Sequence, residues 1–141
     1  MFTRRQALRW AEIWAACWND RDVETVLALH RDDVRFESTV AGRVTGSAIV
    51  EGKDALRRYW TRLLRETGPV RLELERVTWD PGALQIAVMY VANLEGQRTR
   101  ACELLTLDTW GRVIRGRCVL LGAAHQSAVP REIDELAISY Q

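Results

Sequence analysis

Lysine is almost absent: Lys53 is the only one among 20 basic residues, which face 19 acidic residues for a formal net charge of +1. The arginines alternate with acids instead of forming a block. No field gathers a phosphate polymer or an anionic lipid surface, so neither nucleic acid nor a membrane is expected as partner. Cysteine is scarce too. Cys17, Cys102 and Cys118 are odd in number, widely spaced and without a C-x-x-C pair, which argues against a disulfide framework or a zinc site. No acidic cluster suggests a metal, no glycine loop after a strand suggests a phosphate cradle, and no Ser/His/Asp or Cys/His nucleophile is legible, so no metal and no cofactor are expected. With 9 Gly and 3 Pro the chain is too poor in both for a disordered or fibrous sequence. No apolar run approaches membrane-spanning length. Arg4-Arg5 stands near the start, but Glu12, Asn19 and Asp20 interrupt the apolar stretch that an export signal needs, and a cytoplasmic protein is expected.

What is present is an ordinary globular composition, 48% apolar over 141 residues, enough for one core and one domain spanning 1–141. Trp10, Ile13, Trp14, Cys17 and Trp18 fall on one face of a helix, opened by the capping-box pair Thr3 and Gln6 and closed at Asn19-Asp20-Arg21. A second helix from about Val23 to Leu29 is capped by Asp22, with His30 at its end, where a cation suits the helix dipole. Val34 to Ser38 alternates as a short strand, and the glycine-containing stretch from Ala41 to Ser47 reads as a loop or hairpin. Leu56, Tyr59, Trp60, Leu63 and Leu64 mark a third helix after Gly52-Lys53, ended by Gly68-Pro69.

The remainder is β-rich. Runs at 70–79, 83–94, 98–109 and 112–122 are separated by turn signals such as Asp80-Pro81-Gly82, giving sequential hairpins and an antiparallel meander. A C-terminal extension of about 124–141 carries Ile133, Leu136 and Tyr140 at near-helical spacing after Pro130. Helices first and a meander afterwards is an α+β pattern, with helices packed on one face of a curved sheet.

Particular residues sharpen this. Trp18-Asn19-Asp20-Arg21-Asp22 through His30 and Asp32-Asp33-Val34-Arg35-Phe36, then Gly52-Lys53-Asp54-Ala55-Leu56 with Tyr59-Trp60, then Leu107-Asp108 with Gly111-Arg112-Val113, occur in the order and spacing of a known family. Over roughly residues 5–122 the chain resembles the nuclear transport factor 2-like superfamily, particularly its SnoaL-like and ketosteroid-isomerase-like members. The resemblance implies a curved antiparallel sheet wrapped around three helices as a cone with one internal pocket. Pocket walls are then expected from Trp14, Trp18, Ser38, Tyr59, Trp60, Ile86, Leu105 and Cys118, and the occupant is expected to be a small hydrophobic molecule.

By the same resemblance Glu103 falls where ketosteroid isomerases carry the acid that hydrogen-bonds a developing enolate. Alternation puts Glu103 on the face of Ala101, Leu105 and Leu107, where desolvation raises a carboxyl pKa and fits it for proton transfer. The alternative is an ion pair with Arg117 or a neighbouring arginine. Tyr90, on the face of Ile86, Val88 and Ala92, is the second catalytic candidate, and Tyr59, His30, Arg117 and His125 are further polar groups near the pocket. Two departures matter: Ser38 stands where the isomerases hold a general-base Asp, and Trp14 where they hold the oxyanion-hole Tyr. Ser38 cannot abstract a carbon-bound proton unaided, and an indole N–H has no ionisable hydroxyl. Steroid isomerisation by the usual residues is therefore disfavoured. Isomerase, cyclase, dehydratase or epoxide-opening chemistry without a cofactor is the leading expectation, and a non-catalytic binding or association domain the alternative. Outward-facing Cys102, Leu104, Val119 and Leu121 predict a homodimer through the sheet.

Overall fold

The computed structural model describes residues 2–68, 70–94 and 96–124. The C-terminal stretch with Ile133, Leu136 and Tyr140, expected to be helical, lies outside the described residues, as does His125. Helix α1 (Arg4–Asn19) opens as its sequence demands: the Thr3 side chain accepts from the Gln6 backbone and the Gln6 side chain accepts from the Thr3 backbone. It buries Trp10, Trp14 and Trp18 on one stripe. At its end the Asn19 amide both donates to the Leu72 carbonyl (3.1 Å) and accepts from the Leu72 N–H (2.7 Å). That reciprocal pair fastens the helix to the start of a strand far along the chain. Arg21 then turns the backbone at φ 58° and donates to the Leu64 carbonyl. Helix α2 (Val23–Ala28) is capped by Asp22.

Strand β1 runs from His30 to Ser38. The following stretch is not the expected loop or hairpin. Thr39–Thr45 forms helix α3, because the Ser38 hydroxyl caps the Val40 N–H and Gly46, at φ 85°, supplies the left-handed residue that ends it. A three-residue strand, β2 (Ile49–Glu51), precedes helix α4 (Lys53–Thr67). The meander follows as β3 (Leu72–Asp80), β4 (Gln85–Leu94), β5 (Gln97–Leu107) and β6 (Val113–Ala123).

The six strands form one curved, unclosed sheet in the order β2-β1-β6-β5-β4-β3. It is antiparallel except at one seam, where β1 runs parallel to β6. Irregularities at Glu75 on β3 and at Leu121 on β6, opposite Arg100 and Ala101 of β5, help bend it. Helix α1 lies against β3, α4 against β1 and β2, and α2 contacts both long helices. The fold is thus the expected α+β arrangement, with four helices among the described residues. The core between helices and sheet is strongly aromatic, with edge-to-face pairs Trp18–Trp60 (5.1 Å) and Trp14–Tyr90 (5.3 Å), a geometry worth roughly 0.5–1.5 kcal/mol per pair beyond burial.

Candidate active site

Register assembles the site. Ser38 on β1 is directly opposite Cys118 on β6, and Cys118 is directly opposite Glu103 on β5. Three polar side chains therefore form one row across three adjacent strands. Alternation turns Glu103, with Ala101, Leu105 and Leu107, to the buried face, while Cys102, Leu104 and Thr106 face the other way and are half-buried. Beyond this row β4 brings Tyr90, α1 brings Trp14 and Trp18, and α4 brings Tyr59 and Trp60. All eight line one half-open cavity of about 60 Å³, on a measure by which one water takes about 10–15 Å³.

The polar groups are linked. Tyr90 Oη lies 3.4 Å from Glu103 Oε1 and 3.6 Å from Cys118 Sγ. Ser38 is hydrogen-bonded to Tyr59 and to Cys118, while its Oγ accepts from the Val40 N–H at 3.1 Å. When Glu103 is ionised it can only accept, so Tyr90 must donate to it. Burial pushes the Glu103 carboxyl up to about 8, opposed by the Tyr90 hydrogen bond. Burial likewise raises Cys118 to about 12 and holds the Tyr59 and Tyr90 hydroxyls well above their ordinary value. Near neutrality Glu103 is therefore the group in this row poised to change charge.

The ion pair with Arg117 is not formed. Arg117 is opposite Leu104 in the β5–β6 ladder, on the outer face, with its Nε 3.9 Å from Glu37. Ile86 and Leu105 do not line the cavity. They are paired with each other across β4 and β5 and fully buried, on the right face but at a deeper level. His30 is also set apart: it begins β1, fully buried, with Nδ1 donating to the Val26 carbonyl at 2.8 Å and its ring against Trp60. Burial lowers it to about 4, so it is neutral and not the helix-end cation expected. Sequence reasoning missed Phe36, Leu72 and Leu120 as lining residues. Phe36 was recoverable, since it alternates with Ser38 on one strand.

The family model for the SnoaL-like domain matches residues 11–116. The chain belongs to the SnoaL-like family. No curated protein matches it. Among solved structures, a SnoaL-like protein of unknown function from Burkholderia thailandensis is 20% identical, with a TM-score of 0.74 over 82% of this chain and 95% of that one. The epoxide hydrolase/cyclase-like enzyme SalBIII of pyran ring formation in the polyether salinomycin is 17% identical, with a TM-score of 0.69 over 88% of this chain and 100% of that one. A ketosteroid-isomerase-like protein from Kribbella flavida is 22% identical, with a TM-score of 0.64 over 86% and 85%. At these identities the likeness is one of fold. Among the described residues of this SnoaL-like chain, no helix is long and apolar enough to cross a membrane, and no group of three or more His, Cys, Asp or Glu gathers as metal ligands would.

Proposed function

We propose that this SnoaL-like chain binds a small, mainly apolar molecule in the cavity and performs cofactor-free acid–base chemistry on it, of the isomerase, cyclase, dehydratase or epoxide-opening kind. One observation carries this reading: Glu103 is buried in an apolar wall with Tyr90 as its side-chain hydrogen-bond partner, and its carboxyl is raised to about 8. A carboxyl so placed holds its proton near neutrality and can give it to a carbonyl, hydroxyl or epoxide oxygen. Tyr90 accepts or donates beside it and orients the carboxyl. The aromatic side chains exclude water from the reacting atoms, and Ser38 and Tyr59 offer a second polar contact to the substrate.

The reading is tested with steroids, polyketides and terpenoids as ligands, followed by tryptophan emission and by turnover. Quenching and product formation are expected from the wild type. Glu103→Gln should keep quenching and lose turnover, because an amide keeps the shape but exchanges no proton. Quenching without turnover in either protein favours the second reading, a non-catalytic binding domain, which the presence of Ser38 in place of a general base supports. We propose in addition a homodimer through the outer sheet face, where Leu121 is 51% exposed beside half-buried Cys102, Leu104 and Val119. Sedimentation at micromolar concentration checks it, and a monomer removes it.

A further inference from the structure

Two properties of the cavity suit a charged head group on a mainly apolar molecule. The wall is aromatic, with Trp14, Trp18, Phe36, Tyr59, Trp60 and Tyr90 all lining it. The acid set into that wall, Glu103, is 8% exposed, and no Arg, Lys or His is among the described residues that line the cavity. A carboxylate in such a place lacks the water that would solvate it and the counter-charge that would replace it. An organic cation supplies that counter-charge and is also attracted by the ring quadrupoles.

We propose that the cavity is a binding site for a small organic ammonium ion, whose charge is met by ionised Glu103 and whose alkyl groups are enclosed by the tryptophan and tyrosine rings. The size agrees. A cavity of about 60 Å³ holds roughly four water positions, which suits an ammonium head of four or five heavy atoms with any tail leaving by the open side. The titratable groups around Glu103 are Tyr90 on β4, Cys118 on β6, Tyr59 on α4 and the adjacent Cys102 on β5, all held by burial above their ordinary values and so favouring their neutral forms. From α1 come the uncharged Trp14 and Trp18, from β1 the uncharged Ser38, and Arg43 of α3 acts on Tyr59. Ammonium binding therefore follows the ionisation of Glu103 alone. The site is the one assigned above to acid–base chemistry, but the inference does not require turnover.

The test is calorimetric titration with tetramethylammonium chloride, whose charge does not change with pH, and with tert-butanol, a neutral probe of equal size, at constant ionic strength. Tetramethylammonium affinity should rise about 25-fold from pH 6.5 to 8.5, as follows for a site that must lose one proton near pH 8. Tert-butanol should show no such rise. In Glu103→Gln the ammonium should bind weakly and without pH dependence, while tert-butanol binds as before. Ammonium binding that ignores pH, or survives Glu103→Gln unchanged, overturns the proposal. Tert-butanol binding without ammonium binding overturns it while leaving the neutral-ligand reading intact, and failure of both probes overturns it as well, the neutral-ligand reading then standing or falling on its own test with the larger ligands. Should Glu103→Gln not fold, the wild-type pH profile decides.

Discussion

Tyr90 reaches Glu103 diagonally. In the β4–β5 ladder Tyr90 is opposite Ala101 and Glu103 is opposite Val88, yet the phenol spans the offset to place Oη 3.4 Å from Oε1. A small residue at Ala101 leaves room for the ring to lean along the strand. Because a hydrogen bond donated to a carboxylate favours the ionised form, Tyr90→Phe should move the Glu103 midpoint upward from about 8. Carbon-13 NMR of glutamate-labelled protein reads that midpoint, and a fall in the variant would contradict the assigned donor.

Stability should respond to pH through two buried groups with opposite signs. Glu103 is raised from 4.5 to about 8, so its contribution is complete below pH 4.5 and is lost as pH rises through 8. His30 is lowered from 6.5 to about 4, so its contribution is complete above pH 6.5 and is lost as pH falls through 4. The two oppose each other between pH 4.5 and 6.5. From 6.5 to 8 Glu103 acts without that opposition, with a slope of up to about 1.4 kcal/mol per pH unit. Urea unfolding should show stability declining over that upper window in the wild type and a flat profile in Glu103→Gln.

Gly116 is required for space. A Cβ there would stand 2.7 Å from Phe36 Cδ2 and 3.3 Å from Leu105 Cδ2, and both side chains are buried. Gly116→Ala should cost about 1–3 kcal/mol, the usual penalty of overpacking, seen as a Tm lower by several degrees. Since Phe36 lines the cavity, the same change should weaken uptake of hydrophobic ligands.

Asn19→Ala removes both bonds to Leu72 and leaves that backbone N–H and carbonyl without their partner, at a cost of about 1–3 kcal/mol by chemical denaturation. Asn19→Asp should recover only part of it, because a carboxylate accepts from the N–H but faces the carbonyl with no donor.

The helices with apolar stripes and side-chain caps were legible, because Thr3, Gln6 and Asp22 act on residues three positions away. Helix α3 was not. Gly42, its β-branched residues and the Gly46 that ends it look like a loop, and its cap, Ser38, had already been read as the end of a strand. Alternation identified the inward face of β4 and β5 and hence Glu103 and Tyr90. It does not reveal depth, which is why Ile86 and Leu105 were placed in the cavity wall. The parallel seam between β1 and β6 left no turn signal, since no hairpin joins those strands. The row Ser38–Cys118–Glu103 was hidden with it.

That seam also requires the longest loop closure in the sheet. β3 to β6 pair with sequence neighbours and need only short loop closures, whereas β1 joins β6 by bringing together His30–Ser38 and Val113–Ala123. The entropic cost of closing a loop grows with its length, so this pairing costs the most of any in the sheet. Ser38 meets Cys118 across it, so this part of the cavity wall depends on the costliest closure in the sheet. The meander β3 to β6 supplies Tyr90 and Glu103, and the pairing of β1 with β6 supplies Ser38 and so completes that wall of the site.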